Sequence, residues 1–156
     1  MAVPIMEDGF PTTISFTGIN VENEGDPQNF CVKSLTPPAY VMGGANDVSC
    51  MSNTAFRTKA SKKLIDVADI TVAGYYNAAL YTDLLAQLGV NQEIVITFPP
   101  VGGAAAQTLT LYGFLDSFTP GNHEEGSAPE ATLVIVVSNR DANGDEIAPS
   151  IGSVSA

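Results

Sequence analysis

The single histidine, His123, stands beside Glu124 and Glu125 in a loop of Gly, Ser and Pro, a place where metal or acid–base chemistry could begin. A zinc protease needs two His four residues apart on a helix face, and that spacing is absent. A Ser-His-Asp triad would have to rest on His123 alone, and no serine lies in a Gly-x-Ser-x-Gly elbow. Cys31 and Cys50 match no metal spacing and are expected as small buried hydrophobes. A disulfide between them is geometrically open but disfavoured in a reducing cytoplasm. Asp141, Asn143 and Asp145 copy the start of a calcium loop, yet Glu146 stands where Gly is required and Gly152 where the bidentate Glu belongs. Asn143-Gly144 reads better as a turn. Gly102-Gly103 precede neither a helix start nor Lys-Ser/Thr, so they cradle no phosphate. No metal or cofactor is implied, and the pattern is that of a protein that is not an enzyme.

Charge says more. The formal net charge is −11, from 17 acids and only six bases. That excludes wrapping of double-stranded DNA, which needs Lys and Arg against the phosphates. Four of the six bases, Arg57, Lys59, Lys62 and Lys63, fall within seven residues, in the polar connection from Ser52 to Lys63. Such a segment fits two roles, a solvated loop or a contact loop that meets the acidic face of another copy. Connections of this length inside a compact domain are usually functional or mobile.

These residues must be positioned by a chain of 156 residues, enough for one domain that buries about two-thirds of its unfolded surface. No apolar run approaches the roughly 20 residues of a membrane helix. Met1–Phe10 carries two acids and no base, unlike a secretory signal, so synthesis in the cytoplasm is expected. Strand patterns run over Pro11–Ile19, Phe30–Leu35, Asp47–Met51, Leu64–Tyr76 and Gln92–Phe98. The period of two in Thr108–Phe118 puts Leu109, Leu111 and Leu115 on one face and Tyr112, Phe114 and Phe118 on the other. Thr119-Pro120-Gly121-Asn122 stops that strand, and Glu130–Val137 returns as a central strand covered on both faces. One helix is expected over Ala78–Leu88, with Asn77 as N-cap, Gly89 just past its end, and Leu80, Leu84, Leu85 and Leu88 as its core stripe. The tail from Asn139 to Ala156 loses its apolar pattern and reads as a terminal arm. The expected architecture is mainly β, with two packed antiparallel sheets in a sandwich or barrel flanked by one α-helix. It is divided into a domain over 1–139 and a C-terminal arm over 140–156.

Three stretches, in this order and spacing, resemble the tail tube (major tail) proteins of long-tailed bacteriophages. They are Asp47-Val48-Ser49-Cys50-Met51 with a long polar loop leading to Lys63-Leu64-Ile65-Asp66, the strand Asp69–Tyr76 running into the lone helix, and the hairpin from Tyr112-Gly113-Phe114 to Val137-Ser138. The resemblance spans roughly residues 10 to 139. It implies six copies per ring and rings stacked into a virion tube, assembled in the host cytoplasm. DNA would pass through that tube without specific binding. Tape-measure, tail-terminator and tail-tip proteins are the further partners it implies, and no membrane. A soluble β-barrel that holds a small apolar ligand in its interior is the alternative.

Overall fold

The computed structural model describes residues 12–16, 20–21, 31–75, 78–100 and 104–154. In chain order the elements are β1 (Thr13–Phe16), β2 (Asn20–Val21), β3 (Cys31–Thr36), β4 (Tyr40–Met42), β5 (Ala45–Asp47), β6 (Lys59–Ser61), β7 (Ile65–Val67) and β8 (Ile70–Tyr75). They are followed by α1 (Ala78–Ala86), β9 (Gln92–Phe98), β10 (Gln107–Pro120), β11 (Glu130–Val137) and β12 (Ser150–Ser153). The expected mainly β class with one helix holds. Seven strands run in the order β2-β1-β9-β10-β11-β8-β3, and β12 adds to β10. A single cluster of buried side chains takes Ile14 and Phe16 from one end of this path and Val32 from the other. That is possible only because the sheet curls until its two halves face each other.

Strand β10 is the spine. Its first half, Gln107–Gly113, pairs with β9, and its second, Gly113–Pro120, with β11. Alternation fixes its inner face: Leu109, Leu111 and Leu115 meet Ile94, Ile96, Leu133 and Ile135 in the core, all 5% exposed or less. Phe118 departs from the expected period. The ladder pairs Leu115 with Ile135 and Ser117 with Val134, so Asp116 is an extra, bulged residue. Phe118 then lies opposite Leu133 and packs against the core instead of the outer face. On β11 one face is buried and the other, Thr132, Val134 and Val136, only half-buried.

The helix is shorter than expected and ends at Ala86. Leu84 is its core residue at 1% exposure, whereas Leu85 and Leu88 are 45% and 39% exposed. Gly89 takes the positive φ of a residue past a helix end (72°), but its N–H donates to the Leu115 carbonyl across the sheet. The Asn77 cap, the Leu80 side chain, Gly102-Gly103 and the loop from Glu22 lie outside the described residues. The tail that showed no apolar pattern returns as β12 along Gln107–Thr110, held through its backbone while every one of its side chains stays exposed. Before it, Asn143-Gly144 does turn: Asp141 Oδ1 accepts the amides of Asn143 and Asp145 at 2.8 and 2.9 Å.

Candidate functional site

Between Pro38 and Val67, both buried, the chain leaves the body as a two-stranded arm. Strand β4 pairs with β7, Tyr40 opposite Val67 and Met42 opposite Ile65. Strand β5 pairs with β6, Ala45 opposite Ser61 and Asp47 opposite Lys59. Between the two ladders Gly43-Gly44 faces Lys62-Lys63-Leu64, two residues against three. That one-residue mismatch bends the ribbon. Gly44 absorbs it with a φ of 84°, open to glycine at no steric cost, and its carbonyl accepts the Lys62 amide at 3.0 Å. With ten or so residues per strand the ribbon reaches roughly 30 Å.

The tip is tied by its own polar groups. Ser49 N–H donates to Asp47 Oδ1 (2.9 Å), and Thr58 N–H donates to Ser49 Oγ (2.8 Å). Asn53 Nδ2 donates to the Phe56 carbonyl and to Thr58 Oγ1 (2.9 and 2.7 Å). Arg57 Nη1 reaches Asp47 Oδ2 at 3.3 Å. The hydrogen bond from Ser49 holds the Asp47 carboxyl below its usual range, with Arg57 helping. Cys50 is exposed, correcting the expectation of a buried residue: it sits in this tip, where Sγ lies 2.7 Å from Ser52 Oγ, and that contact lowers its thiol pKa. The side chain of Cys31 lies outside the described residues.

Every residue from 39 to 66 is exposed. Yet the arm presents eight large apolar side chains, Tyr40, Val41, Met42, Val48, Met51, Phe56, Leu64 and Ile65. Met51 and Phe56 are the extremes at 105% and 87% exposure. Arg57, Lys59, Lys62 and Lys63 all lie on the returning side of this ribbon, so the structure brings the four together on one projecting element. Among the described residues only Arg57 of the four makes an ion pair. The apolar partners beside them were missed in the sequence, because runs such as Tyr40-Val41-Met42 and Leu64-Ile65 carry no mark that separates cover inside a chain from cover between chains.

Among the described residues no three His, Cys, Asp or Glu side chains converge where they could hold a metal ion. His123 lies in the exposed loop between β10 and β11. No helix among the described residues is long and apolar enough to cross a membrane. The cavity under α1, lined by Phe16, Leu84, Gln87, Gln92 and Leu115, is too small to hold a water.

No protein-family model matches the chain, and no curated protein matches it. Solved structures do. A chain in the cryo-EM structure of the anti-feeding prophage baseplate, 6-fold symmetrised, aligns over 100% of both chains with a TM-score of 0.63 and 12% identity. Hcp1 from Flavobacterium johnsoniae aligns over 82% of this chain and 90% of its own, with a TM-score of 0.51 and 10% identity. The chain has an Hcp1-type fold. Hcp1 from Salmonella typhimurium gives a TM-score of 0.52 at 13% identity over 82% of this chain and 81% of its own. A type six secretion system protein gives 0.54 at 17% over 93% of this chain and 96% of its own. The tail-tube-like architecture that the three sequence stretches implied is therefore the architecture of the chain.

Proposed function

We propose that the chain is a structural subunit, not an enzyme, that closes into six-membered rings and stacks them into the tube of a phage tail, the conduit for DNA delivery. The observation that carries this is the arm: a ribbon with no buried residue and eight exposed apolar side chains has its cover elsewhere. An uncovered patch of that kind marks an interaction site. The arm holds four bases against Asp47 and Asp66, while the other 128 residues hold two bases against 15 acids. A second copy therefore offers the opposite charge wherever the arm lands. Arg57, Lys59, Lys62 and Lys63 guide that contact, each adding little by itself and gaining weight by repetition around a ring. Head-to-tail contacts of this type close into rings when the rotation returns on itself. Among the described residues β2 and β3 end the main strand path with open edges, a further reason to assemble, since an unpaired edge invites a neighbour.

An acidic lumen suits a DNA conduit, because each cation along it would add counterion-release affinity and slow the passage. In this reading tape-measure, terminator and tip proteins are the other partners, and the protein ends in the virion after assembly in the host cytoplasm. The side-chain-filled interior weighs against a ligand-holding barrel. The likeness to Hcp1 and to a type six secretion system protein favours a second reading, a tube in a secretion apparatus that carries no DNA. Nuclease-protected DNA in particles that contain this protein separates the two.

The test is negative-stain microscopy of the purified chain beside a variant with Arg57, Lys59, Lys62 and Lys63 all changed to Ser. Rings or tubes are expected from the first, and shortened or absent tubes from the second with an unchanged circular dichroism spectrum. Tubes of normal length from the variant at physiological salt overturn the role of the arm charges. A chain that stays monomeric at high concentration in every salt overturns the assembly itself.

A further inference from the structure

Sixteen large apolar side chains are exposed among the described residues; eight are on the arm and four more, Tyr81, Leu85, Leu88 and Val90, cluster at α1 and its exit. Tyr81 and Leu85 stand at i and i+4 on the helix flank beside the buried Leu84, and Leu88, two residues past the helix end, extends this exposed apolar stripe toward β10. The stripe is held firmly. Tyr81 meets the Phe118 ring edge-on at 5.3 Å, and Leu88 forms a bridge with Leu115 of β10. Asp116 is exposed in the bulge next to Leu115, the residue that Leu88 bridges.

We propose that the arm tip of one copy lies on the Tyr81–Leu85–Leu88 stripe of a second copy, an assignment that rests on the arm-docking function proposed above. The two surfaces match in chemistry. Met51 and Phe56 stand out from the tip, left exposed by the described residues, and the stripe offers an aromatic ring and two Leu side chains. Arg57 and Lys59 flank the tip, and the body that carries the stripe is acidic, with two bases against 15 acids outside the arm. Tip and stripe are different surfaces of one chain, so the contact is head-to-tail and each copy both gives and receives. The hydrogen bonds inside the tip reduce the entropy lost on docking.

Two variants test it, both confined to exposed side chains: Met51→Ser with Phe56→Ser in the tip, and Leu85→Lys with Leu88→Lys in the stripe. Lys is a good helix former, and the second pair opposes the basic tip with like charge. Folding is checked by circular dichroism and association by sedimentation velocity. Each variant alone is expected to lose association by at least tenfold. Mixed in equal amounts they are expected to form one-to-one pairs of whatever unit each retains, because the mixture contains one intact tip and one intact stripe. If the stripe variant associates like the unchanged chain while the tip variant does not, the arm docks elsewhere: the stripe assignment falls and arm docking stands. If both associate normally, both fall. Failure of the mixture to pair likewise overturns the stripe as the receiving surface.

Discussion

Gly113 and Val136 approach so closely that a Cβ at residue 113 would stand 2.5 Å from the Val136 carbonyl oxygen and 3.4 Å from Ile94 Cδ1. The site is buried at the middle of the spine, where β10 passes from its β9 partner to its β11 partner. The nearest obstacle is backbone in a central ladder and cannot swing away. Gly113→Ala is therefore expected to lower the unfolding free energy by about 1–3 kcal/mol, as overpacking does. Urea unfolding followed by fluorescence measures it, and an unchanged midpoint would show that the two strands separate at little cost.

Tyr81 and Phe118 bind the helix to the far half of β10 through an edge-to-face contact. A double-mutant cycle with Tyr81→Ala and Phe118→Ala is expected to give a coupling energy of about 0.5–1.5 kcal/mol. Additive single changes would mean that the rings pass without holding each other.

That contact was hidden in the sequence. Strict alternation sends Phe118 outward, and only the bulge at Asp116 returns it to the core. Leu115-Asp116-Ser117-Phe118 does carry a trace of this, because two polar residues separate two that are buried or partly buried. Where one face is buried throughout, the pattern read true: β9 and β11 have the expected bounds, and Leu109, Leu111 and Leu115 are core. Burial writes the period into the sequence. The arm buries nothing within the chain, so its strands left no such record. Asp47–Met51, expected as a strand, is instead the last residue of β5 and the start of the tip, and β4 went unseen. Leu64–Tyr76 proved to be β7 and β8 separated at Ala68-Asp69. The four bases were legible because clustered charge needs no fold to be noticed; the apolar residues they accompany were not.

Asp47 ties the tip to pH. Its carboxylate accepts from Ser49 and pairs with Arg57, so its pKa is lower when the tip is folded than when it is open. A depressed folded pKa contributes order above the unfolded carboxylate value, and that order is lost as pH falls through the folded one. The Ser49 amide resonance is thus expected to move with a midpoint below the ordinary carboxylate range, while amides of β9 and β11 hold still. Asp47→Asn should abolish the transition. A midpoint at or above the ordinary value would remove the carboxylate from the account of the tip.

The arm can be shortened without touching the body. Val48 N–H donates to the Thr58 carbonyl at 2.9 Å, so these residues can flank a two-residue turn. Replacing 49–57 with Asn-Gly supplies the type I′ turn such a junction prefers. Nothing in 49–57 is buried, so the thermal midpoint is expected to move by no more than about 2 °C, the shift of a change below 1 kcal/mol in a domain of this size. Assembly should be lost all the same, because Met51, Phe56 and Arg57 leave together. Scanning calorimetry and microscopy of one preparation read both quantities. A large fall in the midpoint would show that the tip supports its own body, whereas intact tubes would show that assembly does not use it.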